Sequence, residues 1–280
     1  MPVILITGAS SGIGAALARH YAAPGTHLVL NARGIDRLNT VAAACRDLGA
    51  TVATRSIDVR DRQAVGEWLR ETHAVTPLDL VIVNAGINGG HPGGDIETEA
   101  MAFETVDVNL NGALNVALPC VTLMLARGSG QIALISSLAA FAPLPDAPAY
   151  SGTKAALLAH GLALRAKLGP RGVRMNVVTP GYVKTTMGGD YEGWRPMEMS
   201  AEEAAIRIAR GLAQCEVIHS RDAKVAQDGQ DRLIERRLVF QQQHRLARQH
   251  RLERRVQRIV TQGVLVDGHR QIRIHFGVLR

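Results

Sequence analysis

Cysteine is scarce in this chain. Cys45, Cys120 and Cys215 are spread through 280 residues, too few and too scattered for a disulfide framework or a zinc site. The plain expectation is buried thiols in a reducing compartment, hence a cytoplasmic protein with no metal. Long apolar runs are lacking as well: none approaches the roughly 20 residues a membrane span requires. The first run, Val3-Ile4-Leu5-Ile6, is strand-sized and well short of a secretory h-region. There is no internal repeat and no low-complexity segment. Charged residues make up 20% of the chain and hydrophobic residues 46%, with mean hydropathy near zero. Those values exclude a wholly disordered chain and a membrane bundle, and they allow a substantial core.

The net charge of +7 is unevenly placed. Residues 216–280 hold 14 Lys and Arg against 7 Asp and Glu, whereas residues 1–215 hold 18 of each. The tail also has nine of the twelve glutamines, and Lys224 is its one basic residue that is not arginine. Composition thus draws a boundary near residue 216. An anionic partner is a question for the tail alone, and residues 1–215 predict no nucleic-acid or membrane partner.

Residues 1–215 alternate strand and helix patterns. Strands are expected at 3–7, 27–31, 51–57, 78–84, 131–136 and 173–179, with helices at 15–21, 37–48, 62–73, 101–126, 150–168 and 201–214. Apolar strands separated by helices predict βαβ units and a parallel sheet covered on both faces, an α/β fold. Such sheets bind ligands beyond the carboxyl ends of their strands.

Thr7-Gly8-Ala9-Ser10-Ser11-Gly12-Ile13-Gly14 follows the first strand and opens the first helix. Its glycines permit a tight turn and a close approach to a pyrophosphate, which free helix N–H groups would receive. The alternative is an ordinary tight turn; position after the first strand of a βαβ unit favours a dinucleotide. The second strand ends Asn31-Ala32-Arg33. An arginine there, where an acid would suit NAD, suits the 2′-phosphate of NADP. A solvated surface arginine is the alternative, and NAD stays open. Asp36 reads as the start of the next helix. Neither Ser10 nor Ser11 is basic, so the loop offers no second phosphate contact.

Tyr150 and Lys154 stand four residues apart, one turn along a helix face. A phenol has an unperturbed pKa of about 10. A neighbouring ammonium would lower it and permit proton exchange with an alcohol or ketone. Ser137, at the end of the fifth strand, could bond the reacting oxygen.

These residues resemble the short-chain dehydrogenase/reductase family. The resemblance covers about residues 1–215. It rests on TGASSGIG (7–14), Asp58-Val59, Asn84-Ala85-Gly86, Val108-Asn109-Leu110, Ile135-Ser136-Ser137, YSGTK (150–154) and Pro180-Gly181-Tyr182-Val183-Lys184-Thr185. Spacing to Tyr150 selects Ser137 over Ser136. The resemblance implies a doubly wound, Rossmann-like sheet and hydride transfer with NADP or NAD. It implies Tyr150 as general acid or base, and Lys154 lowering the phenol's pKa and holding the nicotinamide ribose. It implies Ser137 placing the substrate oxygen and Asn109 holding a water that links Lys154 to solvent. Gly8, Ser10, Ser11, Gly12, Ile13, Gly14 and Arg33 would then bind the cofactor's phosphates. Asp58 and Val59 would lie beside adenine, and Asn84, Ala85 and Gly86 under the adenosine ribose. Pro180, Gly181, Val183 and Thr185 would meet the nicotinamide end. A homodimer or homotetramer, through the helices at 101–126 and 150–168, is implied as well. A non-catalytic NAD(P)-binding sensor or scaffold with a basic interaction tail is the competing function.

The loops after strands four to six hold Leu138, Phe141, Leu144, Tyr182, Met187, Trp194, Met197 and Met199, with Arg195 as a candidate cation. This largely apolar set predicts an apolar carbonyl or secondary-alcohol substrate, or else a lid packed onto the domain. The tail allows three readings: a poorly ordered or aberrant C-terminus, a partner-binding or oligomer-stabilising arm, or an anionic-surface binder. The first predicts that deleting 216–280 leaves activity and thermal stability unchanged. Loss of both in the truncated protein would exclude it.

Overall fold

The computed structural model describes residues 1–89, 96–185, 187, 198–214 and 218–219. Trp194, Arg195, Met197, Cys215 and nearly all of the basic tail lie outside the described residues.

The chain opens with β1 (Val3–Thr7), α1 (Gly12–Tyr21), β2 (His27–Ala32), α2 (Ile35–Asp47), β3 (Thr51–Ser56), α3 (Arg62–Val75) and β4 (Leu80–Val83). Next come α4 (Glu99–Val106), a π-helical turn (Asp107–Asn111), α5 (Gly112–Arg127) and β5 (Gly130–Ile135). A short 3-10 turn (Leu138–Ala140) leads to α6 (Pro148–Leu168), and a second (Gly169–Arg171) to β6 (Val173–Thr179). β7 (Val183–Lys184), β8 (Met199–Ser200), α7 (Ala201–Gln214) and β9 (Ile218–His219) follow.

Seven strands pair in parallel in the order β3-β2-β1-β4-β5-β6-β9. The chain winds outward from β1 to β3 and then crosses to β4 on the other side of β1. That reversal opens a crevice beyond the carboxyl ends of β1 and β4. The strands are apolar on both faces because both are covered. Val3, Leu5, Val81, Val83, Ile132 and Leu134 pack on α3, α5 and α6. Ile4, Ile6, Leu28, Leu30 and Ile82 pack on α1, α2 and α7. β3 is the exception: an edge strand, it carries Thr51, Thr54, Arg55 and Ser56, polar residues that blunt an open edge.

Two expectations need revision. The sheet crosses the compositional boundary at 216, since Ile218 and His219 pair with Val178 and Thr179. The deletion that isolates the tail therefore begins at 220. The predicted helix at 101–126 is interrupted by the π-helical turn at Asp107–Asn111. With that turn, Glu99–Arg127 is long and apolar enough by length and composition to cross a membrane, although no uninterrupted apolar run in it is. Here its inward face, with Val116, Ala117, Cys120 and Met124, is part of the core. Cys45 and Cys120 are free and buried, as expected.

Two glycines of α6 make a contrasting pair. A Cβ at Gly152 meets nothing within 4 Å, whereas one at Gly161 would lie 2.4 Å from Val177 Cγ2 and 3.0 Å from Leu134 Cδ1. Gly152→Ala should raise stability by about 0.5–1 kcal/mol through helix propensity. Gly161→Ala should lower it by about 1–2 kcal/mol, because overpacking against the sheet outweighs the same gain. Urea unfolding midpoints of the two variants check both signs.

Candidate active site

The glycine loop lies in the crevice. Gly8 and Gly12 have φ of 66° and 51°, a region that a side chain disfavours. Ala9 N–H donates to the Asn31 carbonyl at 3.0 Å, tying the loop to the end of β2. A Cβ at Gly14 would fall 2.3 Å from the Gly8 carbonyl oxygen and 2.6 Å from Asn84 Nδ2, so α1 can start this close only with glycine there. Ser11 makes no side-chain cap on α1, and the first turn of α1 holds no acidic residue. Its N–H groups and dipole are left for an anion. Ile13 packs half-buried on the core beneath, and Thr185 approaches to 3.1 Å of a Cβ placed on Gly12.

Asn84 stitches β4 to this loop. Thr7 Oγ1 accepts from Asn84 N–H at 3.0 Å and Ala85 N–H at 3.1 Å; Asn84 Nδ2 donates to the Thr7 and Gly8 carbonyls. The side chain of Asn84 therefore holds the loop. Two residues on, Ile87 is gripped by Asn109. Ile87 N–H donates to Asn109 Oδ1 at 2.7 Å, and Asn109 Nδ2 donates back to the Ile87 carbonyl at 2.8 Å. Asn109 sits in the π-helical turn and is fully buried. Its amide thus spends one acceptor and one donor on Ile87.

The two serines after β5 divide their work. Ser136 Oγ donates to the backbone carbonyl of Lys154 at 2.7 Å and is buried. Ser137 Oγ accepts from Ala139 N–H and lies against the Tyr150 phenol, which agrees with the choice of Ser137 by spacing. Leu138 N–H donates to the Pro180 carbonyl, joining this segment to Gly181, Tyr182 and Val183. Lys154 Nζ stands 5.4 Å from the centre of the Tyr150 ring and donates to the Ile135 carbonyl at 2.9 Å. It is also near Asn109: a Cβ on Gly86 would lie 3.1 Å from Asn109 Oδ1 and 3.6 Å from Lys154 Nζ.

Burial dominates the electrostatics. It pulls the Lys154 ammonium down from 10.5 to about 8. It pushes the Tyr150 phenol above its ordinary value, and the Ser137 hydroxyl draws it partly back. In this arrangement the Lys154 ammonium bonds the Ile135 carbonyl, and desolvation is the larger influence on the phenol.

At the far end of the crevice, Asp58 is held by Arg60, with Nη2 to Oδ2 at 2.7 Å and backbone N to Oδ1 at 3.0 Å. This pair, with Arg33 nearby, keeps the Asp58 carboxyl below its ordinary value. Val59 is buried against Gly112 of α5, and its carbonyl accepts from Asn115 Nδ2. Arg33 is exposed at the end of β2, with Asp36 in the first turn of α2 as expected. Arg37, which the sequence reading passed over, places Nη2 3.6 Å from a Cβ on Gly34. Its position one helical turn after Arg33 was the available signal.

A family model described as short chain dehydrogenase matches residues 2–196. The chain belongs to the short-chain dehydrogenase family. An uncharacterised oxidoreductase of Mycobacterium tuberculosis is 38% identical to this short-chain dehydrogenase over 188 residues, covering 66% of this chain and 74% of that protein. A short-chain dehydrogenase from Sphingobium yanoikuyae, solved with NADPH, is 30% identical with a TM-score of 0.73, covering 84% of this chain and 95% of its own. One from Mycobacterium paratuberculosis, solved with NAD, is 25% identical with a TM-score of 0.68, covering 76% and 90%. Family and neighbours support an oxidoreductase with a nicotinamide cofactor. The uncapped α1, its glycine loop and the Asn84 stitch fit such a dinucleotide.

Lys154 is 4% exposed, so its charge destabilises the fold in the absence of ligand. The unfolded lysine titrates near 10.5 and the folded one near 8. Between these values the unfolded state binds more protons, so stability rises with pH through that window; the full penalty applies below it. Lys154→Met should raise stability at pH 7 by about 1–3 kcal/mol. It should also flatten the rise between pH 8 and 10.5. Urea titrations across that range, wild type against variant, check this.

Proposed function

We propose that this short-chain dehydrogenase is an NADP-dependent oxidoreductase that interconverts a carbonyl and a secondary alcohol. The observation that carries the reading is the convergence of Ser137, Tyr150 and Lys154 beside the uncapped N-terminus of α1. The bound nicotinamide supplies or accepts the hydride. Gly8, Ser10, Ser11, Gly12, Ile13 and Gly14 receive the pyrophosphate. Ala85 and Gly86 meet the adenosine ribose, with Asn84 holding them in place. Asp58 and Val59 border adenine, and Pro180, Gly181, Val183 and Thr185 border the nicotinamide. Ser137 holds the substrate oxygen, and Tyr150 gives it a proton in reduction or takes one in oxidation. Lys154 holds the nicotinamide ribose and, released from Ile135, faces the phenol. Asn109 fixes the backbone beside them.

Arg33 and Arg37 flank the turn after β2 and suit a 2′-phosphate, which favours NADP over NAD. The apolar substrate class rests on Leu138, Leu144, Tyr182 and Met187. Phe141 gives it no support, because it packs with Leu158 and Val177 in a small core cluster. Exposed Phe103, Leu118 and Leu162 on α4, α5 and α6 fit a homodimer or homotetramer formed through those helices. The buried free thiols fit a cytoplasmic setting.

Tyr150→Phe should lower kcat by roughly 10²–10⁴-fold while nucleotide affinity stays within about two-fold. Full activity in that variant would overturn the proton-transfer role, and a wild type that binds nucleotide without turnover over a carbonyl panel would favour a sensor. Arg33→Ala should raise the KM for NADPH about ten-fold or more and leave that for NADH nearly unchanged. Steady-state assays with each nucleotide check the ratio.

A further inference from the structure

The helix that carries Tyr150 and Lys154 cannot cap itself. The residue before its first turn is Ala147, which has no side-chain acceptor, and α6 shows no local side-chain cap. α1 and α2 likewise lack a local side-chain cap, whereas Asp61 caps α3 by accepting from Ala64 N–H and Thr98 caps α4 by accepting from Met101 N–H. In α6 the open N–H of Ala149 donates instead to Glu97 Oε1 at 2.8 Å, 52 residues away in sequence. The carboxylate also lies at the positive end of the helix dipole. Its second oxygen, Oε2, is buried and has no hydrogen-bond partner among the described residues.

Glu97 is adjacent to Thr98. One dipeptide therefore caps two helices: Thr98 caps α4, which runs into the turn holding Asn109, and Glu97 caps α6, one residue before Tyr150. Ile87 and Glu97 are each bonded to an element that bears a candidate site residue. Asn109 grips Ile87, and Ala149 grips Glu97. Loops after the carboxyl ends of strands border the substrate in a sheet of this kind.

We propose that Glu97 is a positioning residue for Tyr150: it supplies from the loop after β4 the cap that α6 lacks, and so sets the phenol's place relative to substrate. The inference rests on the proposed role of Tyr150 as the proton-transfer group, and its test is built to separate the two. Glu97→Ala removes the acceptor, Glu97→Gln keeps it, and Thr98→Ala removes the neighbouring cap on α4 alone. The measurements are kcat and KM for the carbonyl at saturating NADPH, NADPH affinity by fluorescence, and amide exchange of a peptide covering 145–152 in the free protein.

Glu97→Ala should lower kcat about ten-fold or more, with NADPH affinity within about two-fold of wild type. Exchange at 145–152 should quicken about five-fold or more. Glu97→Gln should recover most of both, and Thr98→Ala should change neither. Native kcat in Glu97→Ala overturns the proposal. So do equal kcat losses in Glu97→Ala and Thr98→Ala, a Gln variant as impaired as the Ala variant, or unchanged exchange at 145–152. An inactive wild type whose Glu97→Ala variant exchanges faster at 145–152 overturns the oxidoreductase reading and leaves the cap standing.

Discussion

The meeting of β1 and β4 governs everything functional in this molecule. Those strands are neighbours in space but are separated in sequence by two strands and three helices, so a polar stitch must define how their ends align. Thr7 Oγ1 accepts two backbone N–H groups from the end of β4, and Asn84 Nδ2 returns to two carbonyls of the glycine loop. With that alignment fixed, Gly14 can sit against Gly8, and α1 can begin with its N–H groups open. From Asn84 the backbone passes directly to Ile87 and its clamp on Asn109. Cofactor loop and π-helical turn are thus parts of one hydrogen-bonded path.

The active-site pair shows how burial sets chemistry. Water is excluded from Lys154 to the point that its ammonium titrates near 8, and the adjacent phenol is pushed the other way. Both groups are driven toward their neutral forms. A neutral phenol beside a hydroxyl is well suited to donating a proton to a carbonyl oxygen. The Ile135 carbonyl offsets part of the lysine's desolvation with one short hydrogen bond.

Much of this was legible in the sequence because its signals are local. β1, β2, β5 and β6 read correctly since each is a dense apolar run covered on both faces. The glycine loop, the Tyr150–Lys154 spacing and the choice of Ser137 are short-range patterns, and Ser136 turned out to bond backbone. What was hidden depends on partners distant in sequence. Nothing near Asn109 shows that its amide bonds Ile87, and nothing near Ala147 shows that its helix is capped by Glu97. Phe141 looked like a pocket residue because a loop position says nothing of Leu158 and Val177 beneath it. That the Val59 side chain packs against Gly112 of α5 was likewise not legible from its neighbours in sequence. The π-helical turn carries no compositional mark, and so the helix expected at 101–126 showed no sign of the interruption.

The order in which strands neighbour one another has a bearing on assembly during synthesis. β1, β2 and β3 are consecutive in sequence and adjacent in the sheet, each joined to the next by a single helix. They can pair as they leave the ribosome. β4 can dock only on the edge of β1 that this first half leaves bare, and β5 and β6 then add one at a time. The nascent protein therefore exposes one sticky strand edge after another until its last paired segment arrives, and the cell must shield each edge in turn.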